Sequence, residues 1–202
     1  MIEYLNRHPE KIWEPFIQHI ELTLITMVIS VAAASLFTLS AMRYERVGRV
    51  LQRIFSVIYS VPSLALLALL IPITGLGRTS AVIALVAYNQ YLLLINFTSG
   101  LREADPAAVE AARGIGMTDW EILTRIRLPL AKKAIFAGIR LAVVSTIGIG
   151  TIAAFINAGG LGVLLYEGLR STHVPKILWG SFLSGGLAIV MNLLLKRIEN
   201  SL

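Results

Sequence analysis

Long uncharged apolar stretches limit how this chain can fold more than any other feature. A helix needs about 20 apolar residues to cross a bilayer. Stretches of that length predict spans at residues 22–42, 54–74, 79–101, 134–156 and 177–195. Backbone groups placed in lipid have to pair within their own segment, so each span is expected to be a helix. The sequence therefore predicts an all-α integral membrane protein with five transmembrane helices. Residues 20–198 form its membrane domain, after an extracytoplasmic segment, residues 1–19.

The basic residues predict the orientation of these spans. Twelve lysines and arginines lie on one side of the predicted membrane: Arg43, Arg46, Arg49, Arg53, Arg102, Arg113, Arg125, Arg127, Lys132, Lys133, Lys196 and Arg197. The other side carries five: Arg7, Lys11, Arg78, Arg170 and Lys176. Because lysine and arginine accumulate on the cytoplasmic side, the N-terminus is expected outside and the C-terminus inside. This asymmetry also accounts for the net charge of +6, which could otherwise suggest nucleic-acid binding.

Arg140 lies inside the fourth predicted span. A long basic side chain near the end of a span can reach the headgroups, so we interpret Arg140 as an anchor. The alternative is a charge that takes part in transport.

Several kinds of chemistry are missing from the sequence. Cysteine is absent, and none of the lysines is followed by serine or threonine, which excludes the ending of a phosphate-binding P-loop. The three histidines are isolated from one another, and the acidic residues lie almost wholly outside the predicted spans. We therefore expect no catalytic residue, no metal site and no cofactor in this chain. A solute pump of this composition would draw its energy from another protein.

The loop between the third and fourth predicted spans has a strong local pattern. Asp105 and Pro106 fit the start of a short helix, and Gly114 fits its end. A capping box at residues 118–121 then predicts a second helix. That helix is expected to end before Pro129, because the residue preceding a proline avoids helical geometry.

The same loop resembles the EAA motif of ABC importer permeases. That motif reads Glu-Ala-Ala, three residues, Gly, nine residues, then Ile-x-Leu-Pro. Every fixed position is filled, by Glu110, Ala111, Ala112, Gly116, Ile126, Leu128 and Pro129. The resemblance implies the type-1 permease fold, with residues 102–133 as a coupling loop that docks on an ATPase subunit. It also implies that ATP and Mg²⁺ are bound by that partner.

Three further stretches narrow the resemblance. Residues 61–77, 110–117 and 151–162 are similar to the permeases of osmoprotectant importers, which take up glycine betaine, carnitine and choline. The similarity implies a multi-pass protein of a bacterial inner membrane that works by alternating access. Its expected partners are a second permease (a copy or a paralogue), two ATP-binding subunits and an extracytoplasmic solute-binding protein, without nucleic acid. An importer for another small solute, such as methionine, is an alternative, and a channel or membrane scaffold without an ATPase is a different class.

A few residues within the apolar stretches are candidates for the solute path. They are Tyr88, Asn89, Gln90, Pro62 and Asn157. The third predicted span lacks the proline and arginine that related permeases carry there and contains the asparagine and glutamine instead. These two residues either line the path or hydrogen-bond between helices. The tyrosine ring either meets a cation or packs. Pro62 is expected to kink the second span, for gating or for packing alone.

Overall fold

Helices make up most of residues 9–201, the part of the chain that the computed structural model describes. Their bounds are α1 Glu10–Arg43, α2 Glu45–Ser60, α3 Ser63–Thr74, α4 Arg78–Arg102, α5 Pro106–Gly114, α6 Asp119–Ile122, α7 Leu128–Ile152, α8 Gly162–Arg170 and α9 Val174–Ser201. A π-helical turn, Leu123–Arg127, joins α6 to α7, and a 3₁₀ turn, Ala153–Ile156, extends α7. Four helical segments are long and apolar enough to cross a membrane, and the bent pair α2–α3 is a fifth if it counts as one span.

Helix α4 lies at the centre of the bundle. It packs against α1, α2, α3 and α7. Thirteen of its residues are buried, whereas α9 buries only Gly180 within this chain. The third predicted span is therefore the core helix, and α9 lies at the periphery against α7 and α8.

Helix α1 begins well before the predicted first span. Glu10, Lys11 and Glu14 interrupt the apolar stretch in sequence, yet residues 10–19 continue into the span without a break. This part of α1 is held by the turn after α7. His19 Nε2 lies 3.1 Å from the Ile147 carbonyl, and the Leu161 N–H reaches Nδ1 at 3.4 Å, which fits a neutral ring with its proton on Nε2. Residues 1–8 of the predicted N-terminal segment lie outside the described residues, and a boundary at residue 20 stays a prediction.

The second predicted span is interrupted at Pro62. Helix α2 ends at Ser60 and α3 starts at Ser63, and the two axes differ by 102°. A kink was expected there because proline has no backbone N–H to donate. The bend is much larger than a kink, so α2 and α3 are two helices.

The turn between α3 and α4 is built on two glycines. Gly75 and Gly77 have φ values of 79° and 114°, which L side chains rarely adopt. The Thr74 hydroxyl lies 2.6 Å from Ser80 Oγ and closes the turn. Arg78, at the start of α4, pairs with Glu21 of α1 at 3.0 Å.

The second loop helix does not end before Pro129, so this prediction is wrong. Helix α6 runs through the π-helical turn into α7, and the Leu128 N–H donates to the Leu123 carbonyl five residues back. Pro129 stands at the start of α7, where the missing N–H and the ring are accommodated by the widened turn. The fourth span is therefore one continuous helical segment, residues 119–156, which begins in the loop.

Arg140 is paired inside the protein. Its Nη1 lies 3.0 Å from Glu199 Oε2 on α9, and the two side chains are 25% and 16% exposed. The ion pair explains how α7 tolerates a charge at this depth, and it fastens the end of α9 to α7.

Helices α4 and α7 approach closely at glycines that the sequence analysis did not single out. A Cβ on Gly138 of α7 would lie 2.7 Å from Asn96 Cβ, and one on Gly100 of α4 would lie 2.6 Å from Ala134 Cβ. Other glycines of α7 and α9 include Gly148, Gly150, Gly185 and Gly186. Of these, Gly150 packs on His19, while Gly148, Gly185 and Gly186 have no atom within 4 Å of a Cβ in the described chain.

Gly138→Ala is expected to destabilise the bundle, because the added methyl overlaps Asn96 and pushes α7 from α4. Overpacking of this kind costs about 1–3 kcal/mol. The thermal unfolding midpoint of the purified permease in detergent should fall by at least about 2 °C. Gly148→Ala in the same helix is the matched control and should leave the midpoint unchanged. Equal midpoints for both variants would contradict the close α4–α7 contact.

Candidate functional site

The loop between α4 and α7 folds as two helices with a bend. Asp105 caps α5 by accepting a hydrogen bond from the Ala107 N–H at 2.9 Å, as predicted. Thr118 and Glu121 form the predicted capping box at the start of α6. The Thr118 backbone N–H and hydroxyl donate to the Glu121 carboxylate at 3.0 and 2.9 Å, and these bonds lower the pKa of that carboxyl.

The bend itself is capped by a glycine. Helix α5 ends at Gly114, as predicted, but the left-handed position is Gly116, with φ 88°. The Gly116 N–H donates to the Arg113 carbonyl and the Met117 N–H to the Ala112 carbonyl, both at 3.0 Å. This is the hydrogen-bond pattern of a Schellman cap, which requires a residue that tolerates positive φ.

A small apolar core holds the two loop helices together. Its buried residues are Ala104, Val109, Ala112 and Ile122, with Met117 and Ile126 packed against them. Two of the motif residues, Ala112 and Ile126, therefore point into the loop. Their side chains set its shape, and their part in coupling to an ATPase stays a prediction.

The other motif residues of the bend face outward. Glu110, Ala111 and Gly116 are exposed, and a Cβ on Gly116 would meet nothing within 4 Å. Glu110 makes no hydrogen bond or ion pair with any described residue. Leu128 and Pro129 are exposed at the start of α7.

Two exposed apolar residues flank the bend and were missed by the sequence analysis. Ile115 is 80% exposed and Trp120 is 65% exposed. Clustered exposed apolar side chains of this size are typical of a surface that another protein covers. Their position beside the motif glycine could have suggested them. We call Glu110, Ala111, Ile115, Gly116 and Trp120 the loop surface.

Ion pairs tie the loop to the end of α1. Asp119 lies 3.2 Å from Arg113 of α5 and 3.7 Å from Arg43, the last residue of α1. All three side chains are largely exposed, so the pairs orient the loop more than they stabilise it. Two helices of the bundle, α1 and α7, therefore reach the loop directly.

Two of the predicted path residues are hydrogen-bonded inside the helix core. The Asn89 amide donates to Thr146 Oγ1 at 2.8 Å and to Ser30 Oγ at 3.2 Å, which connects α4 to α7 and α1. The Gln90 amide donates to the Ser30 and Val86 carbonyls. Both side chains are 1–2% exposed. Within this chain, hydrogen bonding between helices accounts for their position, and a role in the path stays a prediction.

The other three path candidates do not join them in one site. Tyr88 is buried, and its hydroxyl donates to the Val61 carbonyl beside Pro62, so these two residues meet at the α2–α3 break. Asn157 is exposed at the far end of α7, in a left-handed conformation with φ 63°. The Gly160 N–H of that turn donates to Gln18 Oε1 of α1 at 3.1 Å. Within residues 9–201, no group of three or more acidic or histidine side chains is placed to hold a metal ion.

Comparison with known proteins supports the interpretation of the loop. Residues 26–202 match the family described as "Binding-protein-dependent transport system inner membrane component". The carnitine transport permease protein OpuCB of Listeria monocytogenes is 35% identical over 90% of this chain and 84% of its own length. The choline transport system permease protein OpuBB of Bacillus subtilis is 32% identical over 100% of this chain and 93% of its own.

Solved structures share the fold at lower identity. A chain of the MetNI methionine ABC transporter, in an inward-facing conformation, superposes with a TM-score of 0.80 at 18% identity, covering 91% of this chain and 92% of that one. An amino acid ABC transporter crystallised with histidines gives 0.77 at 19% identity, over 99% and 96% of the two chains. The chain thus belongs to the inner-membrane components of binding-protein-dependent transport systems, the permeases of ABC importers.

Proposed function

We propose that this permease imports quaternary ammonium solutes of the glycine betaine, carnitine and choline type by alternating access. The observation that carries the proposal is the similarity, over nearly the whole chain, to permeases named for carnitine and choline transport. The similarity to the methionine transporter supports only a shared fold, because the two chains are 18% identical. Methionine import therefore remains the rival that a transport measurement has to exclude.

The proposed importer needs subunits besides this chain. The chain carries no P-loop, so ATP and Mg²⁺ bind to two partner ATPase subunits and this chain is not an enzyme. One bundle with a single central helix encloses no pathway of its own, and a second permease, a copy or a paralogue, completes it. An extracytoplasmic solute-binding protein delivers the solute. Closure of the ATPase pair then moves the permeases between outward-open and inward-open states.

The loop surface is the proposed contact with the ATPase. It combines an unpaired carboxylate, Glu110, with exposed apolar side chains at Ile115 and Trp120, around a glycine that leaves room for close approach. Ala112 and Ile126 support this surface from inside, and Leu128 and Pro129 start the helix that carries it into the membrane. A channel that works without an ATPase would not need such a surface.

We propose five spans, with α2 and α3 together forming one, the N-terminus outside and the C-terminus in the cytoplasm. The loop surface and Arg43, the last residue of α1, lie at one end of the bundle. The turns at residues 75–77 and 157–161 lie together at the other end, where the Asn157 carbonyl is 3.9 Å from a Cβ built on Gly77. The loop end carries the excess of basic residues, which supports a cytoplasmic position for it.

Uptake by cells that lack other osmoprotectant importers tests the substrate. Cells expressing the complete importer should accumulate radiolabelled glycine betaine, carnitine or choline, and the solute-binding protein should be required. Methionine serves as the comparison solute. Accumulation of methionine, with no uptake of the three ammonium solutes, would overturn the proposal in favour of its rival.

Cysteine labelling of this cysteine-free chain tests the topology. Leu76→Cys and Leu169→Cys replace residues that are 66% and 64% exposed at the proposed outer end. An impermeant thiol reagent should label both in intact cells. It should label Ser201→Cys only after the cells are broken, because the end of α9 is proposed to be cytoplasmic. The reverse pattern would invert the orientation.

Gly116→Trp is expected to abolish uptake and release the ATPase, since the indole would stand on the surface that the ATPase covers. Gly116→Asn is the matched control, because asparagine tolerates positive φ and adds little bulk. It should keep most of the uptake. Membrane abundance and co-purification of the ATPase are measured for both. Normal uptake by the tryptophan variant at normal abundance would show that the loop surface is not the contact.

A further inference from the structure

One side of α2 is polar throughout its length. Arg49, Gln52, Arg53 and Ser56 are spaced three and four residues apart, so they share one side of the helix, and Tyr59 follows a turn later. The opposite side is apolar. The sequence analysis had placed the second span at residue 54, with these arginines in a loop. As part of a helix next to α4, a polar side of this kind is expected to face water or protein, not lipid.

Three tyrosines cluster at the far end of this polar side. The Tyr59 ring stacks on Tyr91 of α4, with centroids 4.9 Å apart and planes 28° apart, and it meets Tyr88 edge-on at 5.8 Å. Tyr88 is fixed by its bond to the Val61 carbonyl. Tyr59 and Tyr91 remain partly exposed, so ring surface is available beside the helix break. A quaternary ammonium group cannot donate a hydrogen bond, and an aromatic ring is the surface that attracts it.

One of these tyrosines, Tyr91, lines a cavity together with arginine side chains of α2. An open cavity of about 560 Å³ lies between α2 and α4, lined by Arg49, Gln52, Arg53, Ser56, Val57 and Tyr91. Arg49 pairs with Glu45 at 3.1 Å, whereas Arg53 has no carboxylate within ion-pair distance among the described residues. Gln52 is held by Thr98 of α4 at 3.1 Å. The cavity is thus lined by Arg53, which has no carboxylate partner among the described residues, and by the aromatic ring of Tyr91.

We propose that this cavity binds a zwitterionic solute, with its quaternary ammonium group against Tyr91 and Tyr59 and its carboxylate on Arg53. Six residues of helix separate Arg53 from Tyr59, an axial distance of about 9 Å that the flexible arginine shortens. Tyr91 and Arg53 line one cavity, so a single small molecule contacts both. The inference rests on the proposed function and adds a preference: solutes with a carboxylate gain the Arg53 contact, and choline does not.

The test compares three solutes in the reconstituted importer. Arg53→Gln should lower the ratio of maximal uptake rate to KM for carnitine and glycine betaine about tenfold, since a charge-assisted hydrogen bond is lost. Choline uptake by the same variant should change less than about twofold, which also shows that the variant is folded. Arg46→Gln, two turns before Arg53 on α2 and outside the cavity lining, is the control and should leave the carnitine-to-choline ratio unchanged.

The aromatic wall has its own pair of variants. Tyr91→Leu should lower uptake of all three solutes, because it removes the ring but keeps an apolar side chain. Tyr91→Phe should keep uptake near the wild-type rate, because the ring is kept. An equal loss for carnitine and choline in Arg53→Gln, or no loss at all, would overturn the inference while the importer still works. A wild-type importer that carries none of the three solutes would instead overturn the proposed function.

Discussion

The position of Asn89 at the centre of α4 constrains the bundle more than any other single residue. Its amide donates to Ser30 of α1 and Thr146 of α7, and all three side chains are buried. In a bilayer an amide cannot find water, so it has to meet partners inside the protein. The three helices must therefore keep one register and one spacing. Gly100 and Gly138 let α4 and α7 approach closely enough for that bond.

The two ends of this core are built differently. At one end the loop helices enclose their own small core, which keeps the loop surface in shape without help from a partner. At the other end, α1 holds the turn after α7 through Gln18 and His19. Helices α1, α4 and α7 run between the two ends and connect them.

Much of this architecture could be predicted because it depends on local sequence. Hydropathy located the spans, proline located the break at residue 62, and capping residues located the starts of α5 and α6. The features that were not predicted depend on contacts between residues that are far apart in the sequence. The start of α1 was not predicted, because charged residues precede the apolar stretch. The hydrogen bond from the Leu161 N–H to His19, which fixes this part of α1, joins residues 142 positions apart. The pairing of Arg140 with Glu199 and the contact of Tyr59 with Tyr91 also join residues that are far apart in the sequence.

The candidate site divides in the same way. Spacing alone located the loop that carries the motif, but it could not separate the residues that face outward, such as Glu110, from those that build the loop core, such as Ala112. Pro129 was misjudged for a different reason. The rule that helices end before proline assumes α-helical hydrogen bonding, and the π-helical turn at residues 123–127 removes that assumption.

That turn also has a mechanical consequence. Because Pro129 does not interrupt the helix, residues 119–156 form one 38-residue element, about 57 Å long. A rotation of about 5° around its midpoint would shift each end by about 2.5 Å, in opposite directions, for a helix of that length. A stiff lever of this kind needs no chain of intermediate rearrangements between the two faces of the membrane. Under the proposed function, a force applied at either end of this element is transmitted to the other, so solute arriving outside would act on the ATPase as readily as ATP acts on the outer turn.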